Sequence, residues 1–140
     1  MKKFIAALST ALLVVILALT LSACDKSGAI ENKFKDNGYN VKIVNADNSL
    51  AKAVFDLCGL SNDQIEEINS YEILYCSKNL SAAVVVKFPS SGKLKDFLTV
   101  EKDGKKDDSA YTAKKDKGDI NGNCLFYTMN EGARDIFKKA

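Results

Sequence analysis

Four cysteines, at positions 24, 58, 76 and 124, are the most reactive side chains in a chain of 140 residues that contains no histidine. Without His, the commonest general base and metal ligand is missing from any mechanism. The cysteines form no C-x-x-C pair, so neither a dithiol redox site nor a zinc ribbon is expected. Ser49-Leu50-Ala51-Lys52 and Ser90-Ser91-Gly92-Lys93 both have the S-x-x-K spacing in which an ammonium can activate a hydroxyl. Neither an S-D-N nor a K-T-G segment accompanies them, and both are expected to be helix starts. Asp119-Ile120-Asn121-Gly122-Asn123 places oxygen donors at alternate positions, as the opening of a calcium loop does. The sixth position is Cys124 where Gly is needed and the twelfth is Asn130 where Glu is needed, so a turn feeding a strand is the better reading. No catalytic residues, no metal ligands and no cofactor are expected.

The N-terminus carries the most specific pattern. Met1-Lys2-Lys3 precedes twenty uncharged residues, Phe4 to Ala23, dominated by Ala, Leu, Val and Ile. Such a run is an export signal or a membrane span. It closes on Leu21-Ser22-Ala23-Cys24, and here the sequence resembles the bacterial lipoprotein precursors, whose lipobox is a Leu, two small residues and a Cys. The resemblance covers about the first 24 residues. It implies lipidation of the Cys24 thiol with diacylglycerol and signal-peptidase cleavage between Ala23 and Cys24, and usually acylation of the new amino group. An uncleaved transmembrane helix is the alternative. Both place Lys2 and Lys3 in the cytoplasm and residues 25–140 outside. Asp25, directly after Cys24, resembles the signal that keeps lipoproteins in the inner membrane of two-membrane bacteria. The expected location is the outer face of the cytoplasmic membrane, with the bilayer as partner through acylated Cys24.

Setting residues 1–23 aside leaves 117, with 18 Lys and Arg against 18 Asp and Glu. That is one domain of zero net charge, and it argues against nucleic acid as a partner. Residues 24–27 are expected to form the anchor and a short tether reaching on the order of 10 to 15 Å. Residues 28–140 are expected to form a single α+β domain.

The elements that must position these residues follow from periodicity and caps. Ser27 to Asn37-Gly38 has helix signals, with Ile30 and Phe34 at i, i+4. Tyr39, Val41 and Ile43 alternate as in a strand. Asp47 or Asn48 caps a helix whose buried stripe is expected to be Leu50, Val54 and Leu57, closed by Gly59. Ser61 and Gln64 fit a capping box, with Leu60 and Ile65 as its hydrophobic staple. Glu72 to Ser77 and Ala82 to Phe88 form a hairpin around the loop Lys78-Asn79-Leu80-Ser81. Leu94, Phe97 and Leu98 mark another helix, and Val84, Val86, Phe88 and Phe97 are expected in the core. Residues 101–119 hold six acids and six Lys with Tyr111 as the only large apolar residue. This segment is expected to be a solvated, mobile excursion, helical at most in part. Cys124 to Met129 is the last strand, and Asn130 caps a final helix with Ala133, Ile136 and Phe137 on one face.

In order, the segments give β-α-β-β-α-β with an additional helix at each end, which predicts a ferredoxin-like antiparallel sheet. Such a sheet would put Cys76 and Cys124 on opposite edges, leaving Cys58 with Cys76 as the better disulfide; three partly buried thiols are the preferred alternative. The fold hosts many unrelated activities and supports almost no functional conclusion. The leading functional expectation is a non-enzymatic envelope lipoprotein that binds another envelope protein or self-associates. The alternative is an accessory lipoprotein binding a small ligand or a metal.

Overall fold

The computed structural model describes residues 25–140. The lipobox, with Ala23 and Cys24, lies outside the described residues. The chain is α+β, with helix α1 (Ser27–Asp36), strand β1 (Asn40–Val44), helices α2 (Ser49–Leu57) and α3 (Asn62–Ile68), and strands β2 (Glu72–Lys78) and β3 (Ser81–Lys87). Helix α4 (Ser91–Leu98), strands β4 (Val100–Lys102) and β5 (Lys105–Asp107), helix α5 (Ser109–Lys117), strands β6 (Ile120–Asn121) and β7 (Cys124–Thr128) and helix α6 (Glu131–Lys139) complete it. The main sheet is antiparallel with strand order β1-β2-β3-β7-β6, and β4-β5 is a separate two-stranded ribbon.

Alternation along the central strands divides the sheet into two apolar faces. Ile73, Val84, Val86, Leu125 and Tyr127 point to one face, under Ala51, Val54 and Phe55 of α2, Ile65 and Ile68 of α3, and Leu94, Phe97 and Leu98 of α4. Leu74, Cys76, Ala83, Val85, Cys124 and Phe126 point to the other, under Ile30 and Phe34 of α1 and Ala133 and Phe137 of α6. The connecting helices thus cover one face, and the two terminal helices cover the other. Phe126 stacks on Phe137 at 4.5 Å, and Phe88 bridges Tyr71 and Phe97 at 4.8 and 5.3 Å.

Most helix boundaries follow from caps legible in the sequence. Asn48 accepts from Leu50 and Ala51 N–H, Ser61 and Gln64 form the reciprocal capping box, and Asn130 accepts from Ala133 N–H. Ser90 accepts from Lys93 N–H, so its S-x-x-K segment is a capped helix start. The other S-x-x-K opens α2 behind Asn48.

Four expectations change. The buried stripe of α2 is Ala51, Val54 and Phe55; Leu50 and Leu57 are 58% and 69% exposed. The helix turns so that Phe55 meets Tyr127 edge-on, and the larger aromatic area decides the facing. The hairpin loop has two residues instead of four, because Lys78 and Ser81 still pair. The segment 101–119, expected to be a solvated excursion helical at most in part, takes part in the β4-β5 ribbon (Val100–Lys102 with Lys105–Asp107) and then forms helix α5, in which no residue is buried. Finally, each strand of the main sheet lies beside a neighbour in chain order, which moves β2 and β7 off the edges where Cys76 and Cys124 were expected.

Candidate functional site

Two polar constellations stand out from the described residues. Sequence reasoning identified neither. The first is built on Asp119, which lies between the Gly118 cap of α5 and the start of β6. Its Oδ1 accepts from Arg134 Nε of α6 at 2.7 Å, and its Oδ2 lies 3.8 Å from Lys114 Nζ of α5. Asp119 and Arg134 are both buried. Arg134 Nη1 also donates to Glu131, one turn earlier on its own helix. Lys114 sits over the Tyr127 ring at 4.5 Å from its centroid, a cation–π contact that reaches the apolar face beneath α2. Burial pulls the Lys114 ammonium below its ordinary value, against the opposing attraction of Asp119, and burial pushes the Tyr127 phenol up. The cluster fastens α5, β6 and α6 together.

Arg134 had a signal that periodicity could have used. It falls between Ala133 and Phe137 on the buried face of α6. A cation in an apolar stripe requires a buried partner.

The second constellation surrounds Asp25. Its Oδ1 accepts from Ser27 N–H at 2.9 Å and from Ser27 Oγ at 2.7 Å, and its Oδ2 pairs with Lys87 Nζ at 2.9 Å. Lys26 N–H donates to Asn123 Oδ1 at 3.1 Å, while Asn123 Nδ2 donates to Phe88 O at 2.8 Å. Burial raises the Asp25 pKa, but the Lys87 ammonium and the Ser27 donors outweigh it and hold the carboxyl at about 2. Residues 25–27 are therefore no free tether, because the chain is fastened to the ends of β3 and β7 from Asp25 onward.

The calcium-loop resemblance dissolves on geometry. Asp119 is engaged by Arg134, Asn121 Nδ2 donates to Phe137 O and Ala140 O, and Asn123 holds Lys26 and Phe88. Gly122 has φ +59°, a left-handed turn between β6 and β7. The donor side chains point to three separate places.

The cysteines are equally dispersed. Among the described residues no disulfide joins Cys58, Cys76 and Cys124. Cys58 packs against the face covered by α2, and Cys76 is buried in the opposite face. The sheet lies between them, an arrangement that opposes the Cys58–Cys76 pairing, the less favoured of the two readings. Burial pushes the Cys76 and Cys124 thiols up to about 12 and raises Cys58 as well. A thiol held protonated is a poor nucleophile.

A groove of about 730 Å³ runs between α4 and the β4-β5 ribbon, lined by Lys95, Asp96, Thr99, Val100, Glu101, Lys106 and Asp108. It is open to solvent, with both charge signs on its walls. No known protein family, curated protein or solved structure matches the chain. The functional reading therefore rests on these residues themselves. Among the described residues, no helix is long and apolar enough to cross a membrane.

Proposed function

We propose that this chain is the precursor of a membrane-anchored extracytoplasmic lipoprotein, and that its domain works by binding an envelope protein, without catalysis. The observation that carries the anchoring half is the lipobox Leu21-Ser22-Ala23-Cys24 set directly before a folded domain in which Asp25 is already fastened. Cleavage before Cys24 would remove the apolar segment and leave every described contact in place. The acyl chains then replace that segment as the anchor.

Support for the interaction half is the distribution of exposed apolar side chains. Leu57, Leu80 and Met129 are 69%, 104% and 70% exposed. Leu80, in the β2-β3 turn, and Met129, which follows β7, lie at the end of the sheet opposite Asp25; Ile43 of β1, Leu50 of α2 and Val100 of β4 are also exposed. The candidate nucleophiles, by contrast, have structural work. Ser90 caps α4, and burial keeps the thiols protonated.

The test is crosslinking in intact cells, followed by purification of the lipidated protein. A stoichiometric envelope protein captured by wild type and lost in Leu80→Asp/Met129→Asp, at unchanged unfolding midpoint, is the expected result. Crosslinks only to further copies of this chain would replace a foreign partner with self-association. Undiminished capture by the double variant would move the binding surface elsewhere.

A further inference from the structure

We propose that the sheet end formed by Lys87, Asn123 and the start of α4 is a membrane-contact surface, clamped against the lipid headgroups by residues 25–27, with the β2-β3 turn directed away from the bilayer. This rests on the lipoprotein reading. It goes further by naming the face that meets the lipid.

One peptide unit, about 3.8 Å between Cα atoms, joins Cys24 to Asp25. Asp25 is held by Lys87 at the end of β3, and Lys26 by Asn123 just before β7. Ser27 and Asn123 are 7% and 5% exposed, so both fastenings belong to the packed body of the domain. A lipid on Cys24 has no slack through which the domain could drift from the surface. The residues beside this anchorage must lie among the headgroups.

The topology identifies them. The register pairs Glu72 with Lys87 and Lys87 with Cys124, so the start of β2, the end of β3 and the start of β7 share this end. Pro89 to Lys93 continues from β3 into α4, exposed from Pro89 to Lys93. Lys26 and Lys93 supply cations here, the charge that an anionic headgroup layer attracts, with Glu72 as the opposing acid. Leu80 lies beyond the other end of β3, whose seven residues span roughly 20 Å at about 3.3 Å each.

The experiment uses the full-length lipidated protein in phosphatidylethanolamine–phosphatidylglycerol vesicles that contain a headgroup-nitroxide lipid. A fluorophore is placed on Ser91→Cys or Leu80→Cys, each in a Cys58→Ser background; Cys76 and Cys124 are fully buried. The mass of the N-terminal peptide is measured before reconstitution. A peptide without lipid would overturn the lipoprotein reading and this inference with it. With lipid present, quenching at position 91 should exceed that at position 80 several-fold. Equal quenching, or stronger quenching at position 80, would overturn the membrane-contact surface while leaving the lipoprotein reading intact. Asp25→Ala and Lys87→Ala should each shrink the contrast in a protein that still carries lipid. An unchanged contrast in both variants would overturn the clamp.

Discussion

The Asp119–Arg134 pair shows what a single buried charge requires of its surroundings. Removing one partner of a buried pair costs about 3 to 5 kcal/mol where the other charge is left uncompensated, whereas replacing both with apolar groups is often close to neutral; without Arg134, Asp119 keeps only the longer contact to Lys114 at 3.8 Å. Arg134→Met should therefore lower stability by up to about 3 to 5 kcal/mol, and Asp119→Leu/Arg134→Met should recover part of it, because Lys114 then loses its acid. Denaturant unfolding measures both; equal losses in the single and double variants would mean that the pair does not act as a unit. Phe88 and Phe97 make the apolar counterpart. Both are buried and in ring contact, so Phe88→Ala or Phe97→Ala should cost about 3 to 5 kcal/mol, and wild-type midpoints for both would contradict the core assignment. These two, with Val84 and Val86, were legible because bulky apolar residues at strand and helix period have one place to go. Leu50 and Leu57 were misread because α2 carries two overlapping apolar stripes. Only the partner surface, Tyr127, selects the one with Phe55.

At the scale of elements, caps and turns were the most legible features, since each depends on a few neighbouring residues. Asn48, Ser61 with Gln64, and Asn130 were all readable as helix starts, whereas the Asp25 clamp was not, because its partners Lys87 and Asn123 are distant in sequence. The clamp has a pH signature. The Asp25 pKa is lowered in the folded protein to about 2 from an ordinary value of 3.8, so its contribution is fully present above pH 4 and is lost as pH falls through about 2. Wild type should lose more stability than Asp25→Asn between pH 4 and pH 2, as followed by thermal unfolding. Parallel curves would show that the ion pair contributes nothing. Helix α5 and the β4-β5 ribbon form the other notable unit. Their alternating charges hid the ribbon from periodicity, and α5 buries no residue, resting on Lys114 over Tyr127 and on partly buried Tyr111. Amides of residues 105–117 should exchange faster than those of β2 and β3, because few apolar contacts oppose their opening. Protection equal to that of the central strands would contradict this.

For the whole molecule, the α+β class and the succession of the larger elements could be derived from sequence, while the short strands β4, β5 and β6 and the lateral strand order could not. Periodicity reports which face a residue takes. It does not report which strand lies beside which: the sheet order β1-β2-β3-β7-β6 was needed to bring β2 and β7 off the edges, and its antiparallel register to set Asp25 and Leu80 at opposite ends. From that arrangement comes the view of a domain fastened to its anchor at one end and free to meet a partner at the other. The measurement that tests it most directly is mass spectrometry of the N-terminal peptide of the protein isolated from membranes, for wild type and Cys24→Ser. The expected result is a wild-type peptide that begins at Cys24 and carries a thioether-linked diacylglycerol, and a Cys24→Ser protein that keeps residues 1–23 and has no lipid. A wild-type peptide that still begins at Met1, with a free thiol on Cys24, would contradict it.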